Sequence, residues 1–317
     1  MVIHYIILAH KNPQQVNRLV NRLRSNDSFF YIHIDKNVSL EDYKNLLKES
    51  ADIYLLPDDK RIYMQWGDIS MITSVLDIFR KILSAQRPGY CILMSGQDYP
   101  LKNNDYINQF LTKNSGKDFI NHFPLPSDKW PNKGIDRMNR YKISFSDKRG
   151  DFKLFPSIHE PDFFTRENLK AIKELFKRTK NPLLLKLFLK KRHFPKYINA
   201  HGGSQWWALT TETATKILEY ISDHPDFLTY NNYTLLPDEI FFNSIVVNIH
   251  KQSPGHIAET FTYANWERKN EPLPVTFTLN DFDELKSLPD EVLFARKFDV
   301  EKDESILNKI DSDLLFV

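Results

Sequence analysis

The stretch Tyr90-Cys-Ile-Leu-Met-Ser-Gly-Gln-Asp-Tyr-Pro-Leu101 decides the fold. Its first five residues are a continuous apolar run that reads as a buried strand, and Ser95-Gly96 turns the chain out of it. In a layered α/β domain the outlet of a central strand is where ligands sit and where reacting groups are mounted. A single acid, Asp98, stands at this outlet. Two carboxylates in an Asp-x-Asp spacing would hold a divalent metal against phosphate, and one alone does not. Any phosphate charge bound here therefore has to be met by other groups.

Toward the N-terminus, strand and helix patterns alternate. Residues 2–9 read as a strand and 13–24 as a helix with Val16, Leu19, Val20 and Leu23 on one face; 29–34 read as a strand, 40–48 as a helix, 52–56 as a short strand. Residues 70–83 read as a helix with Ile72, Val75, Leu76, Ile78 and Phe79 inward. This alternation predicts a Rossmann-like, mainly parallel sheet flanked by helices. Several predicted strands end in polar residues: His10-Lys11, then His33 and Asp35-Lys36, then Ser95 to Asp98. Polar groups gathered at strand ends fit a nucleotide pocket, although ordinary loop chemistry supplies some of them.

Composition narrows the class. The 317 residues, 41% hydrophobic and 13% aromatic, are enough to bury the core of one large domain or of two closely packed ones. A net charge of +2 provides no overall field for nucleic acid. Cys91 is the one cysteine, inside the apolar strand, so an intrachain disulfide is excluded and a reducing compartment suits the chain. Met1 to His10 lacks the basic start of a signal peptide and reads as the first core strand, and no run reaches the ~18–20 apolar residues of a membrane span. The ten histidines form no helical H-x-x-x-H pair, and neither a G-x-S-x-G elbow nor a Walker loop is present.

Beyond residue 115 the chain is irregular and aromatic to about 165. A helix is then predicted over 166–178, capped by Thr165, with Leu169, Ile172, Leu175 and Phe176 apolar. From Lys173 to Lys196 nine Lys or Arg face one acid, Glu174, and are interleaved with leucines. That segment is either a solvated face with its leucines in the core or an interfacial surface for anionic lipid. A glycine turn at Gly202-Gly203 leads into an aromatic strand ending at Thr210, followed by helices predicted over 213–222 and 240–247. Glu239, two residues after Pro237, is expected in the first turn of the second, with the helix dipole favouring its charged form. Asp238 beside it is expected on another face.

Five motifs, Gln65-Trp-Gly-Asp-Ile-Ser70, Ser95 to Leu101, Gly202 to Trp206, Thr234 to Glu239 and Phe294-Ala-Arg-Lys-Phe-Asp299, occur in an order and spacing that resemble glycosyltransferase family 14. That family comprises the core-2/I-branching β-1,6-N-acetylglucosaminyltransferases and the peptide-O-xylosyltransferases. The resemblance covers nearly the whole chain. It implies a GT-A-type fold over residues 1–317, with 1–115 as nucleotide-binding half and 116–317 as acceptor-binding and catalytic half. It further implies inverting transfer from a UDP-sugar, with no metal requirement and no cofactor beyond that co-substrate. The first expected donor sugar is N-acetylglucosamine; xylose or another hexose is second.

On the same resemblance Glu239 is the catalytic base, and Arg296 and Lys297 hold the leaving diphosphate. His10, Asp35, Gly67 and Ser70 line the nucleotide pocket, Asp98 touches the donor sugar or orients pocket hydroxyls, and Gln205 and Trp206 meet the acceptor. The branching enzymes carry a further diphosphate arginine upstream; the matching stretch, residues 273–277, has no cation, and Arg268 or Lys269 is the expected substitute. The xylosyltransferases have an aspartate where Gln205 stands, which argues against peptide xylosylation. The chain lacks the animal enzymes' anchor, stem and cysteines and so resembles a bacterial member. It is expected in the cytoplasm, peripheral to the inner membrane face through 173–196, acting on a glycan or lipid-linked glycan in surface polysaccharide synthesis. A catalytically silent sugar-nucleotide or glycan-binding protein, and a sugar-nucleotide hydrolase, are the competing readings.

Overall fold

The computed structural model describes residues 1–48, 50–146, 148–180 and 183–316. In chain order its strands are β1 (Val2–Ala9), β2 (Ser28–Ile34), β3 (Ile53–Leu55), β4 (Gly89–Ser95), β5 (Asp98–Pro100), β6 (Asp118–Phe119) and β7 (His122–Pro124). After these come β8 (Tyr141–Ser144), β9 (Phe152–Phe155), β10 (His201–Gly203), β11 (Ala208–Thr210), β12 (Ile257–Ala258), β13 (Thr262–Ala264) and β14 (Phe294–Arg296). The central sheet runs β12-β6-β11-β4-β1-β2-β3 and is parallel throughout except at β11. This is the mainly parallel α/β architecture expected.

β1 and β4 are central because they are apolar on both faces, and their side chains enter two different cores. Ile3, Tyr5 and Ile7 of β1 pack with the helix Pro13–Leu23 and the C-terminal segment. Ile6 and Leu8 pack with the helices Ser70–Ser84, Thr211–Asp223 and Phe241–Ile249. Trp207 is 1% exposed against Phe79 and Phe242, hence a core residue.

Differences from the sequence reading lie mostly in the second half. The helix expected over 40–48 stops at Lys44. In the aperiodic stretch, β8 and β9 form a hairpin that covers a third, smaller core. Gly202 and Gly203 are not a turn; they lie in β10 against β7, and a Cβ at Gly203 would fall 1.8 Å from the Asn121 carbonyl. A separate sheet, β13-β14-β5, attaches the chain's last strand to the outlet of β4. Of the basic segment, Asn181 and Pro182 lie outside the described residues. No described helix is long and apolar enough to cross a membrane.

Candidate active site

A cavity of ≈ 1270 Å³ opens where β1, β2 and β4 end, with His10 and Lys11, Asp35, and Ser95 and Gln97 on its wall. Two groups of charged residues complete it: Lys11, Arg149, Arg296 and Lys297, and the acids Asp238 and Glu239 with Arg137.

The cationic group is built by strand register. β14 runs antiparallel to β5 with Arg296 directly opposite Asp98, and Arg296 Nε donates to Asp98 Oδ1 at 3.0 Å. The same carboxylate accepts from Ser95 N at 3.0 Å and Ser95 Oγ at 2.7 Å. The guanidinium carbon lies 3.9 Å from the Trp206 ring centroid. Neither terminal nitrogen of Arg296 has a hydrogen-bond partner among the described residues, so the fork is presented to the cavity. Burial lowers the pKa of Arg296, opposed by Asp98. Burial also lowers that of Lys297, reinforced by the charges of Arg296, Arg149 and Lys11. Lys297 thus stands among three other cations on one wall, an arrangement that favours a polyanion.

Asp98 was expected to touch the donor sugar or orient pocket hydroxyls. It is 1% exposed and off the cavity wall, bonded to Arg296 and to the Ser95 hydroxyl, both of which are on that wall. Its own pKa is raised by burial and held back by Arg296. Trp206 is on the wall, but one ring face already carries Arg296. Gln205 is also on the wall, its Nε2 3.2 Å from Met71 Sδ.

The acidic group is set by backbone. Pro237–Glu239 is a single 3-10 turn, entered through Leu236 at φ 52° and separated from the helix Phe241–Ile249 by Ile240 at φ −124°. Glu239 is thus not in the first turn of that helix, and the dipole argument does not apply. Arg137 supplies the stabilising charge: its Nη1 donates to Glu239 Oε2 at 2.6 Å. The Arg137 guanidinium carbon lies 3.8 Å from the Trp130 ring centroid, and Trp130 fills the space above Gly202, where a Cβ would come within 2.5 Å of it. Burial raises the pKa of Glu239, with Arg137 opposing. Asp238 nonetheless lines the same cavity as Glu239, contrary to the expectation of separate faces. Asp238 is 3% exposed with Oδ1 unpartnered, and its pKa is raised by burial and then by the Glu239 charge.

Of the expected nucleotide residues, the cavity receives His10 and Asp35 but not Gly67 or Ser70. Asp35 accepts from Asn37 N at 2.8 Å and Met64 N at 3.0 Å, capping the turn as well as facing the cavity. Gly67, at φ +66°, accepts from Leu236 N at 3.2 Å and leaves room for the Leu236 side chain, so it supports the acidic turn. Ser70 Oγ accepts from Gln65 N at 3.2 Å and steadies the same loop. Arg268 is tied to Asp281 at 2.7 Å and Glu284 at 2.9 Å, away from the cavity, and Lys269 is off the wall too. The extra cations are Lys11 and Arg149. Arg137, Arg149 and Trp130 come from the aperiodic stretch and gave no signal; Lys11 had one, as part of a polar strand end. Trp66 and Trp266 join the wall, the latter 57% exposed. Among the described residues no three His, Cys, Asp or Glu side chains converge as metal ligands.

A mainly parallel α/β sheet whose strand ends open on one cavity, with a carboxylate turn and a bank of cations around it, is a frame that suits group transfer. The chain belongs to the Core-2/I-Branching enzyme family, a glycosyltransferase family, which it matches over residues 3–286. It is similar to xylosyltransferase 2 of Rattus norvegicus, 25% identical over 98% of this chain and 33% of that protein. The Homo sapiens xylosyltransferase 2 has the same identity and coverage, 25%, 98% and 33%. Xylosyltransferase 1 of Canis lupus familiaris is 23% identical over 98% of this chain and 30% of its own length. The chain thus spans about a third of the length of these relatives.

The role of Asp98 is open to measurement. Asp98→Ala leaves Arg296 charged, buried and unpaired and is expected to cost about 3–5 kcal/mol in urea unfolding. Adding Arg296→Leu should recover part of that loss, giving a coupling well above 0.5 kcal/mol. Strictly additive losses would show that the pair does not act as a unit.

Proposed function

We propose that this protein is an inverting, metal-independent glycosyltransferase that moves a sugar from a UDP-sugar to a saccharide hydroxyl. The observation that supports this best is one cavity holding an arginine-bonded carboxylate, Glu239, together with four cations, Lys11, Arg149, Arg296 and Lys297. UDP-N-acetylglucosamine is the first donor to consider; the names of the relatives keep UDP-xylose second, with other hexose donors after it. The acceptor is a glycan or lipid-linked glycan of a bacterial surface polysaccharide. Residues 1–115 supply most of the nucleoside side, and 116–317 the acceptor side with the catalytic groups.

In this reading Glu239 accepts the proton of the acceptor hydroxyl as its oxygen attacks the anomeric carbon. Oε2 is occupied by Arg137, so Oε1 is the atom that receives it. As the anomeric C–O bond breaks, UDP leaves with its new charge on the β-phosphate. Arg296 meets that charge with a two-pronged guanidinium, Arg149 adds a second guanidinium and Lys297 and Lys11 add point charges, the work a divalent ion does in metal-dependent transferases. His10 and Asp35 flank the nucleoside. Gln205 and Trp206 border the acceptor, Trp206 also backing Arg296.

A UDP-sugar panel read as UDP release with and without glycan acceptor, in EDTA throughout, tests this reading. Release that requires acceptor and survives EDTA supports it. Acceptor-independent release indicates a hydrolase, donor binding without release a silent binder, and activity lost in EDTA a metal-dependent enzyme. Glu239→Gln should bind UDP normally and lose ~10²–10⁴-fold in kcat; full turnover removes Glu239 as base.

The pH dependence follows from Arg137. Glu239 acts only when ionised, so kcat/KM rises with pH through its pKa, which burial raises and Arg137 holds down. Arg137→Gln removes the opposing charge and should move the acidic limb up by about one pH unit or more. A limb that stays in place while KM alone rises would make Arg137 an acceptor contact instead.

A further inference from the structure

Away from the cavity, the small core formed by Tyr141, Ile143, Phe155, Phe163, Leu175 and Phe188 carries an outer surface of unusual make-up. Of the four apolar residues Leu169, Ile172, Leu175 and Phe176 on the helix Arg166–Thr179, only Leu175 is buried, and Leu169 is 46% exposed. Phe164 is 64%, Leu185 43% and Leu189 55% exposed. Leucines packed into the core account for Leu184 and Leu187, which lie against it, and not for these.

The lysines follow the same lines. Leu169, Lys170, Lys173 and Lys177 recur at helical spacing on one face. Across the helix Leu183–Phe188 and the turn after it, Leu185 and Leu189 are one turn apart, and so are Lys186 and Lys190. Phe163 packs on Phe188 with ring centroids 5.9 Å apart, which brings their exposed neighbours Phe164 and Leu189 out of adjoining stretches. The two acids of this region are already engaged, Glu167 by Lys153 at 3.1 Å and Glu174 by Arg178 at 2.7 Å. Among the described residues Lys170, Lys173, Lys177, Lys186 and Lys190 form no ion pair. Lysines alone would suit any polyanion. Bulky apolar side chains interleaved with unneutralised lysines suit a bilayer interface, where the apolar groups enter and the ammonium groups stay among anionic headgroups.

We propose that the surface carrying Phe164, Leu169, Leu185, Leu189 and these lysines docks on an anionic membrane. The β8–β9 hairpin links it to the cavity: Tyr141 and Phe155 belong to the small core, while Arg149, in the hairpin's connection, is on the cavity wall. Docking would bring the cavity near the bilayer, where a lipid-linked acceptor is held. The membrane contact itself stands independently of the transfer reaction.

Co-sedimentation of the full chain with vesicles of phosphatidylcholine, alone or mixed with phosphatidylglycerol, tests it. Binding is expected only to the mixed vesicles and is lost as salt is raised. Changing Lys173, Lys177, Lys186 and Lys190 to Gln should weaken it about fivefold per lysine. Phe164→Ser with Leu189→Ser should weaken it at unchanged net charge, with circular dichroism and melting temperature verifying the fold of both variants. No binding to mixed vesicles at low salt, or binding that neither variant changes, overturns the proposal. So does retention on heparin with no vesicle binding, which would assign the surface to a soluble polyanion.

Discussion

The cavity depends on one buried contact, Arg296 with Asp98. Taking a guanidinium and a carboxylate out of water costs several kcal/mol for each ion, and their attraction offsets this only if the remaining valences are met. Here Ser95 contributes an amide and a hydroxyl to the carboxylate, and Trp206 covers the cation. The contact joins the outlet of the central strand to the chain's last strand, 198 residues away. Asp98, the lone acid after β4, fixes a cation, and that cation faces the cavity.

The opposite problem arises at Asp238 and Glu239. Two adjacent carboxylates lie in one poorly solvated cavity with a single arginine bonded to one of them. Burial cannot sustain both charges. Arg137 selects Glu239 as the ionised member, and Asp238, unpartnered at Oδ1, is the one driven toward its protonated form. The 3-10 turn that carries them is entered through the left-handed Leu236, with the left-handed Gly67 bonded to it.

The first half of the fold was legible because β1, β2 and β4 are predominantly apolar runs and the helices between them keep a 3.6-residue period. Within the site, Glu239, Arg296, Lys297, His10 and Asp35 were legible through motifs and strand ends, and all five reach the cavity. Gly67, Ser70 and Asp98 share those motifs yet stand behind the wall, since a motif marks a neighbourhood and not the direction of each side chain. Arg137, Arg149 and Trp130 were illegible for a different reason. They lie where no periodicity exists, and they are placed by long-range fits, such as Trp130 over Gly202, that local sequence does not encode.

The charge balance of the cationic group carries the argument one step further. Lys11 is paired with Asp299 and Arg296 with Asp98, while Arg149 and Lys297 have no carboxylate partner among the described residues. Lys297 bears the cost in a pKa lowered first by burial and then by three neighbouring cations. A ligand bearing two negative charges would relieve that repulsion, and a nucleoside alone would not. By linkage, whatever relieves it also stabilises the native state. The unpaired charge therefore favours a polyanionic ligand over a neutral one.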